Sequence, residues 1–237
     1  MSPASNESIR EDIRIPCDNM ELRGNLDIPE RCAGIVLFAH GSGSSRLSPR
    51  NKYVAGILRE AGFGTLLMDL LSPKEDRMQR TRFDIGLLTH RLDAALAWQR
   101  ADERMAGLPV GLFGSSTGAA AAIRVAAVPE ANIVAVVSRG GRPDLADHDV
   151  LAAVTAPTLL IVGGNDTGVI ALNESAQGYL RCESRMEIVP GATHLFDEPG
   201  TLEEVARLAC DWFQRHLAAD ESRGPLAPSP HPGICPQ

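Results

Sequence analysis

The stretch Val110 to Ala120 reads VGLFGSSTGAA, an apolar half built like a strand followed by an alanine-rich half built like the start of a helix. Between the halves, Gly114-Ser115-Ser116-Thr117-Gly118 fits the pattern G-x-S-x-G. A strand that turns at once into a helix presents the central residue, Ser116, at a sharp corner. Side chains two residues to either side would collide there, and Gly114 and Gly118 remove them. Ser115 lacks that symmetrical pair and is the weaker candidate. The plain alternative is a loop in which Thr117 caps the helix, so the reading depends on what surrounds the corner.

Apolar runs of the same kind recur at Gly34–His40 (GIVLFAH), Gly64–Leu71, Leu108–Phe113, Asn132–Ser138, Pro157–Gly163 and Arg185–Val189. Most lack polar alternation, which is how parallel strands covered on both faces read. Helices are predicted between them, at Pro49–Ala61, Phe83–Ala101, Thr117–Val128, Gly168–Leu180 and Leu202–Leu217. In the second, Ile85, Leu88, Leu92, Ala95 and Leu96 follow the spacing of an amphipathic helix. Ahead of these units, Met20, Leu22, Leu26 and Ile28 alternate with polar residues, a strand with one wet face that pairs with Ile13–Pro16 in a hairpin.

The pattern predicts one α/β domain, a three-layer sandwich with a mostly parallel sheet and an N-terminal antiparallel hairpin. Its expected bounds are 9–217, after a flexible start at 1–8 and before a Pro-rich, disordered tail at 218–237. Only Arg139–Ala156 separates the sixth strand from the seventh, room for a loop and a short helix at Asp149–Val154 but not for a cap domain.

With 44% hydrophobic and 22% charged residues the composition is globular. A net charge of −7 and a pI near 5.4 argue against a nucleic-acid partner. The opening residues MSPASNESIREDIR carry neither a basic nor an apolar signal region, and no apolar run approaches the roughly 18 residues of a membrane span. A cytoplasmic protein without membrane attachment is expected. Cys17, Cys32, Cys182, Cys210 and Cys235 are widely spaced, with no C-x-x-C pair, and read as thiols without a chemical task.

A serine hydroxyl needs a base, and the base needs an orienting group. On an open parallel sheet these come from loops at the carboxyl ends of later strands. Asp166 follows PTLLIVGG, and His194 lies in PGATHLFDEPG after RMEIV, so both meet the requirement. Asp144, after the strand Asn132–Ser138, is an alternative acid, and Asp69 a weaker one. His90, His148 and His216 read as solvent-facing helix residues, and His231 lies in the tail. For the oxyanion, GIVLFAH runs into Gly41-Ser42-Gly43-Ser44, whose amides can face a substrate beside the amide of Thr117 at its helix start. Ser42 and Thr117 are the expected donors, with His40 bracing the turn.

At these residues the chain resembles the α/β-hydrolase superfamily, most closely its dienelactone hydrolase-like group, from about Ile9 to Leu217. The elbow GSSTG, the HGSG turn, Asp166 after GGN and His194 in GATH match that family's nucleophile, oxyanion loop, acid and base in order. Dienelactone hydrolases proper carry a cysteine nucleophile where this chain has Ser116, so a lactone substrate is not implied. HGSGSSRLSPRN and SRGGRPDLA also resemble a bacterial hydrolase found alone or fused to phosphoribosyltransferases.

The expected function is a serine hydrolase of small carboxylic esters acting through an acyl-enzyme, with no metal or cofactor. Thioesters, amides and acyl transfer to an alcohol share its tetrahedral intermediate. A ligand-binding pseudo-hydrolase is the reading from another class. Arg46, Arg50 and Arg139, with Arg142, stand after two strands and either bind a substrate anion or pair with Asp69, Asp144 or Asp147. The expected partner is a small-molecule ester, and nothing in the sequence separates a monomer from a homodimer.

Overall fold

The chain is described here by a computed structural model covering residues 8–217. Most of the expected flexible start and all of the expected tail, with His231 and Cys235, lie outside the described residues.

Eight strands form one sheet in the order β1-β2-β4-β3-β5-β6-β7-β8. β1 (Ile9–Cys17) and β2 (Met20–Ile28) make the antiparallel hairpin, and β2 also runs antiparallel to β4 (Gly64–Met68). From β4 onward all neighbours are parallel: β3 (Ile35–Ala39), β5 (Val110–Ser115), β6 (Ile133–Arg139), β7 (Thr158–Gly163) and β8 (Ser184–Val189). The hairpin strand is longer than expected and includes Pro16, which a ladder tolerates because β1 is the outer strand.

The central strands are buried throughout and send alternate side chains to two cores. Ile35, Leu37, Val110 and Leu112 meet α4 (Ile85–Ala101) and α5 (Thr117–Ala126) on one face. Val36, Phe38 and Phe113 meet α1 (Pro49–Glu60) and α8 (Thr201–Leu217) on the other. A fully buried Leu or Phe contributes about 1.5–3 kcal/mol, which is why these runs leave no polar alternation to read. Gly111 lets α8 approach: a Cβ there would lie 2.6 Å from the Phe213 ring.

Helix starts follow their caps. α1 begins after Ser48, whose hydroxyl accepts the Asn51 amide, with Pro49 in the first turn. α4 begins two residues later than its apolar pattern suggested, because Asp84 caps it through the Leu87 amide at 2.9 Å. The segment before it holds two one-turn helices that the periodicity did not reveal, α2 (Pro73–Asp76) and α3 (Gln79–Arg82). Strand β4 stops at Met68, short of the expected Leu71: the Asp69 amide still donates to the Arg23 carbonyl of β2, but the Leu70 amide turns away to His40 Nε2 at 2.9 Å. Between β6 and β7 lie only a short 3₁₀ turn (Pro143–Ala146) and α6 (His148–Ala153), so no cap domain is inserted there. α7 (Thr167–Gln177) follows β7.

The chain leaves β3 toward β4 and later returns to β3's other side with β5. The carboxyl ends of β3 and β5 therefore flank the point where strand order reverses, the place where open α/β sheets bind ligands. None of the described helices is long and apolar enough to cross a membrane.

Candidate active site

Ser116 occupies the corner between β5 and α5 at φ 50°, ψ −122°, a conformation that costs a residue with a side chain about 1–3 kcal/mol. Three backbone hydrogen bonds hold it there. Its amide donates to the Arg139 carbonyl at 3.3 Å, and its carbonyl accepts the Ala119 and Arg142 amides, each at 3.1 Å. A Cβ on Gly114 would run into the Ala119 backbone, and one on Gly118 into the Ala39 carbonyl. A third glycine is needed too, since a Cβ on Gly41 would lie 2.7 Å from Ser116 Cβ. Ser115 faces inward and is buried, its hydroxyl 3.4 Å from Asn51 Oδ1, whereas Ser116 is partly exposed and its side chain does not cap α5. Of the two serines, Ser116 is the one open to solvent.

Asp166 stands at the first residue before α7, yet its carboxylate does not cap that helix. It accepts instead from His194 Nδ1 at 2.7 Å. That contact fixes the tautomer whose Nε2 is free to take a proton. The two loops are stitched together by Asn165, whose amide donates to the Ala192 carbonyl and whose side chain donates to the Gly191 carbonyl, both at 2.9 Å. Gly163 permits this approach, because a Cβ there would lie 2.5 Å from the Ala192 carbonyl oxygen. Glu198 closes the base loop on itself by accepting from the Thr193 amide and hydroxyl. Asn165 and Glu198 escaped the sequence reading, as neither belongs to a reactive pattern. The hydrogen bond from Ser116 Oγ to His194 Nε2 is not made in this structure, and such contacts often tighten only when substrate binds.

The alternative acids have other partners. Asp144 is held by both arms of Arg142 at 2.8 and 2.7 Å, and Asp69 pairs with Arg46 at 2.7 Å. His90 is exposed and pairs with Asp18, and His148 stacks on Tyr179. His216 departs from the solvent-facing expectation: it lies against Trp212 on the inward side of α8, its side chain only 12% exposed.

On the oxyanion side, Ser42 Oγ lies 3.2 Å from Thr117 Oγ1 and donates to the Arg82 carbonyl at 3.1 Å. The loop after β3 and the start of α5 thus touch. Among the described residues neither the Ser42 nor the Thr117 amide has a protein acceptor, so both are available to negative charge at a helix N-terminus. His40 sits beneath the turn: Nδ1–H donates to the Gly41 carbonyl and Nε2 accepts the Leu70 amide, both at 2.9 Å. Burial pushes its pKa down, which keeps the neutral form this arrangement requires.

The arginines divide. Arg46 is tied to Asp69, and Arg50 reaches Asp197 in the base loop at 3.0 Å. Arg139 is buried, with no carboxylate bound among the described residues. Among the described residues, the group of metal-ligating side chains close enough to share an ion is Cys17, Asp18 and His90, at the β1–β2 turn and α4, away from these loops.

No protein-family model matches the chain. It is 51% identical to a dienelactone hydrolase from Anabaena variabilis whose crystal structure covers 88% of this chain and 98% of that one, with a TM-score of 0.85. It is 18% identical to Est1E from Butyrivibrio proteoclasticus, with a TM-score of 0.75 over 88% of this chain and 99% of that one, which is a likeness of fold. It is also 54% identical, over 214 residues and 90% of its length, to a Mycobacterium tuberculosis protein named "Putative phosphoribosyl transferase". The match takes in 48% of that protein, so the chain spans about half the length of the curated relatives it matches.

Proposed function

The chain belongs to the dienelactone hydrolase family of α/β-hydrolases, and from that premise we propose that it hydrolyses small carboxylic esters through an acyl-enzyme on Ser116. The carrying observation is the 2.7 Å contact of His194 Nδ1 with Asp166, on the loops after β7 and β8, two and three strands along the sheet from the strained Ser116 corner. In this reading Ser116 Oγ attacks the ester carbonyl while His194 Nε2 takes its proton. The oxyanion that forms accepts from the Ser42 and Thr117 amides. Collapse breaks the ester bond, and the alcohol leaves with the proton from His194. Water then repeats the sequence on the acyl-enzyme and frees the acid. Asp166 orients His194 and stabilises the imidazolium.

No residue in this scheme calls for a metal or cofactor. The name of the curated relatives belongs to proteins about twice as long, and the hydrolase reading applies to the half that this chain shares with them.

Rapid mixing with nitrophenyl acetate tests the proposal. The wild type should release nitrophenol in a burst matching the enzyme concentration, and Ser116→Ala should show none while keeping its fold. Ser115→Ala should keep the burst. A burst that survives in Ser116→Ala would place the nucleophile elsewhere. A slow residual rate in that variant is compatible with the scheme, since an oxyanion hole and binding alone can leave roughly 10³–10⁴-fold catalysis over water.

A further inference from the structure

β6 ends on Arg139, and this residue touches both halves of the site. Its carbonyl accepts the Ser116 amide at 3.3 Å, with Ser115 opposite it in the sheet register. Its side chain goes to the base loop: Nη1 donates to the carbonyl of Leu195, the residue after His194, at 3.4 Å. The guanidinium carbon lies 5.8 Å from the centre of the Phe196 ring, close enough for a cation–π contact. Phe196 is fully buried at φ 57°, an uncommon conformation for a bulky residue, so the base loop is bent where the guanidinium meets it. The next residue, Gly140, brings the end of β6 against the same loop, since a Cβ there would lie 3.1 Å from the His194 carbonyl oxygen.

Among the described residues the guanidinium has no counterion of its own. Arg139 is 7% exposed, its Nε has no acceptor, and Asp197, which attracts it through space, is ion-paired with Arg50. Burial first, and then repulsion from Arg50, push its pKa down to about 10, which still leaves it charged at neutral pH. A buried, unpaired cation is a poor way to stabilise a fold, and an apolar side chain of similar volume would pack there at less cost. It is also poorly placed to meet solvent or substrate, being beneath the base loop. What it offers is a rigid connection between two loops that carry different reacting groups.

We propose that Arg139 is a positioning residue that clamps the His194 loop to the end of β6, where the Ser116 amide is also bound, and so sets the base against the nucleophile. The inference rests on the Ser116–His194 reading and gives Arg139 a task different from both the substrate contact and the carboxylate pairing that the sequence left open.

The test compares wild type, Arg139→Met and Arg139→Lys for kcat and KM on nitrophenyl acetate, for the rate of inactivation by a fluorophosphonate, and for thermal midpoint. A misplacement of about 1 Å can cost about 10²-fold, so Arg139→Met should lose about that factor in kcat with KM within about twofold. Inactivation should slow in parallel, with Ser116 still the labelled residue. Arg139→Lys should recover part of the rate, and in a fourth variant, Arg139→Ala, millimolar guanidinium ion should restore part of the lost rate. A lower thermal midpoint with normal kcat would overturn the proposal and leave Arg139 a packing residue. So would a rise in KM confined to anionic esters at unchanged kcat, which would make it a substrate contact. If Arg139→Met does not fold, Arg139→Lys carries the decision, and full kcat in that variant overturns the clamp. A wild type that is not labelled at Ser116 would instead remove the functional reading, and this inference with it.

Discussion

One hydrogen bond distinguishes Asp166 from Asp144. Asp166 accepts from His194 Nδ1 at 2.7 Å, while Asp144 is engaged by Arg142, whose pKa that pairing raises. Asp166→Asn should therefore lower kcat by up to about 10⁴-fold, because an amide there supports the wrong tautomer of His194. Asp144→Asn should leave kcat within a few-fold of wild type. Steady-state kinetics on both variants checks this, and the reverse pattern would move the acid to the loop after β6. Ser116, Asp166 and His194 could be picked out as candidates in the sequence because each lies within a few residues of the end of an apolar run, and strand ends on a parallel sheet share one side. The arginines could not be resolved in that way. Arg50 and its partner Asp197 are 147 residues apart, and only the folded loops decide which carboxylate each guanidinium meets. Arg139 was harder still, since nothing local marks a cation that ends up buried without a counterion.

At the scale of elements, the same division appears between β4 and α4. Four-residue helices such as α2 and α3 are too short to show a hydrophobic period, and neither has a buried residue, so the sequence offers no element there. Its order comes from polar contacts. Ser72 and Glu75 form a reciprocal cap on α2, and Glu75 also takes both arms of Arg91, a buried residue of α4, at 2.6 and 2.9 Å. The segment then reaches the oxyanion side of the site, where the Arg82 carbonyl accepts from Ser42 Oγ. Arg91 above all, with Ser72, holds the Glu75 carboxyl well below its usual 4.5, at about 2. A depressed carboxyl pKa means that its stabilisation is complete above pH 4.5 and is lost as pH falls toward 2. Denaturant unfolding at a series of pH values in that window should show a shallower loss of stability for Glu75→Gln than for wild type. Parallel curves would show that the pair contributes nothing that depends on its charge. The longer helices were legible from their apolar faces, and the errors at their ends trace to caps such as Asp84, which stop a helix without altering its pattern.

Taken whole, the molecule places its candidate site at the carboxyl ends of the parallel strands. Residues 140–157 between β6 and β7 hold one short helix and a 3₁₀ turn, and Leu195, the residue after His194, lies exposed. Without a cap there is little surface in which to bury a long chain, so the gain of about 0.8 kcal/mol per buried methylene should end early. Among nitrophenyl esters, kcat/KM should be highest at about two to four acyl carbons, and a maximum beyond about eight, with soluble substrate, would reveal a deep apolar pocket. The three-layer order, the hairpin and the missing cap were all readable from apolar runs and the spacing between them. The contact between the β3 loop and the start of α5 was only partly so, since it depends on β3 and β5 being neighbours, which chain order alone does not state. The central claim is that Ser116 is an activated nucleophile, and the measurement closest to it is fluorophosphonate labelling of the full chain followed by peptide mass spectrometry. The account predicts one adduct per chain, on Ser116, lost in His194→Ala. An intact protein that takes no label, or an adduct on another residue, would contradict it.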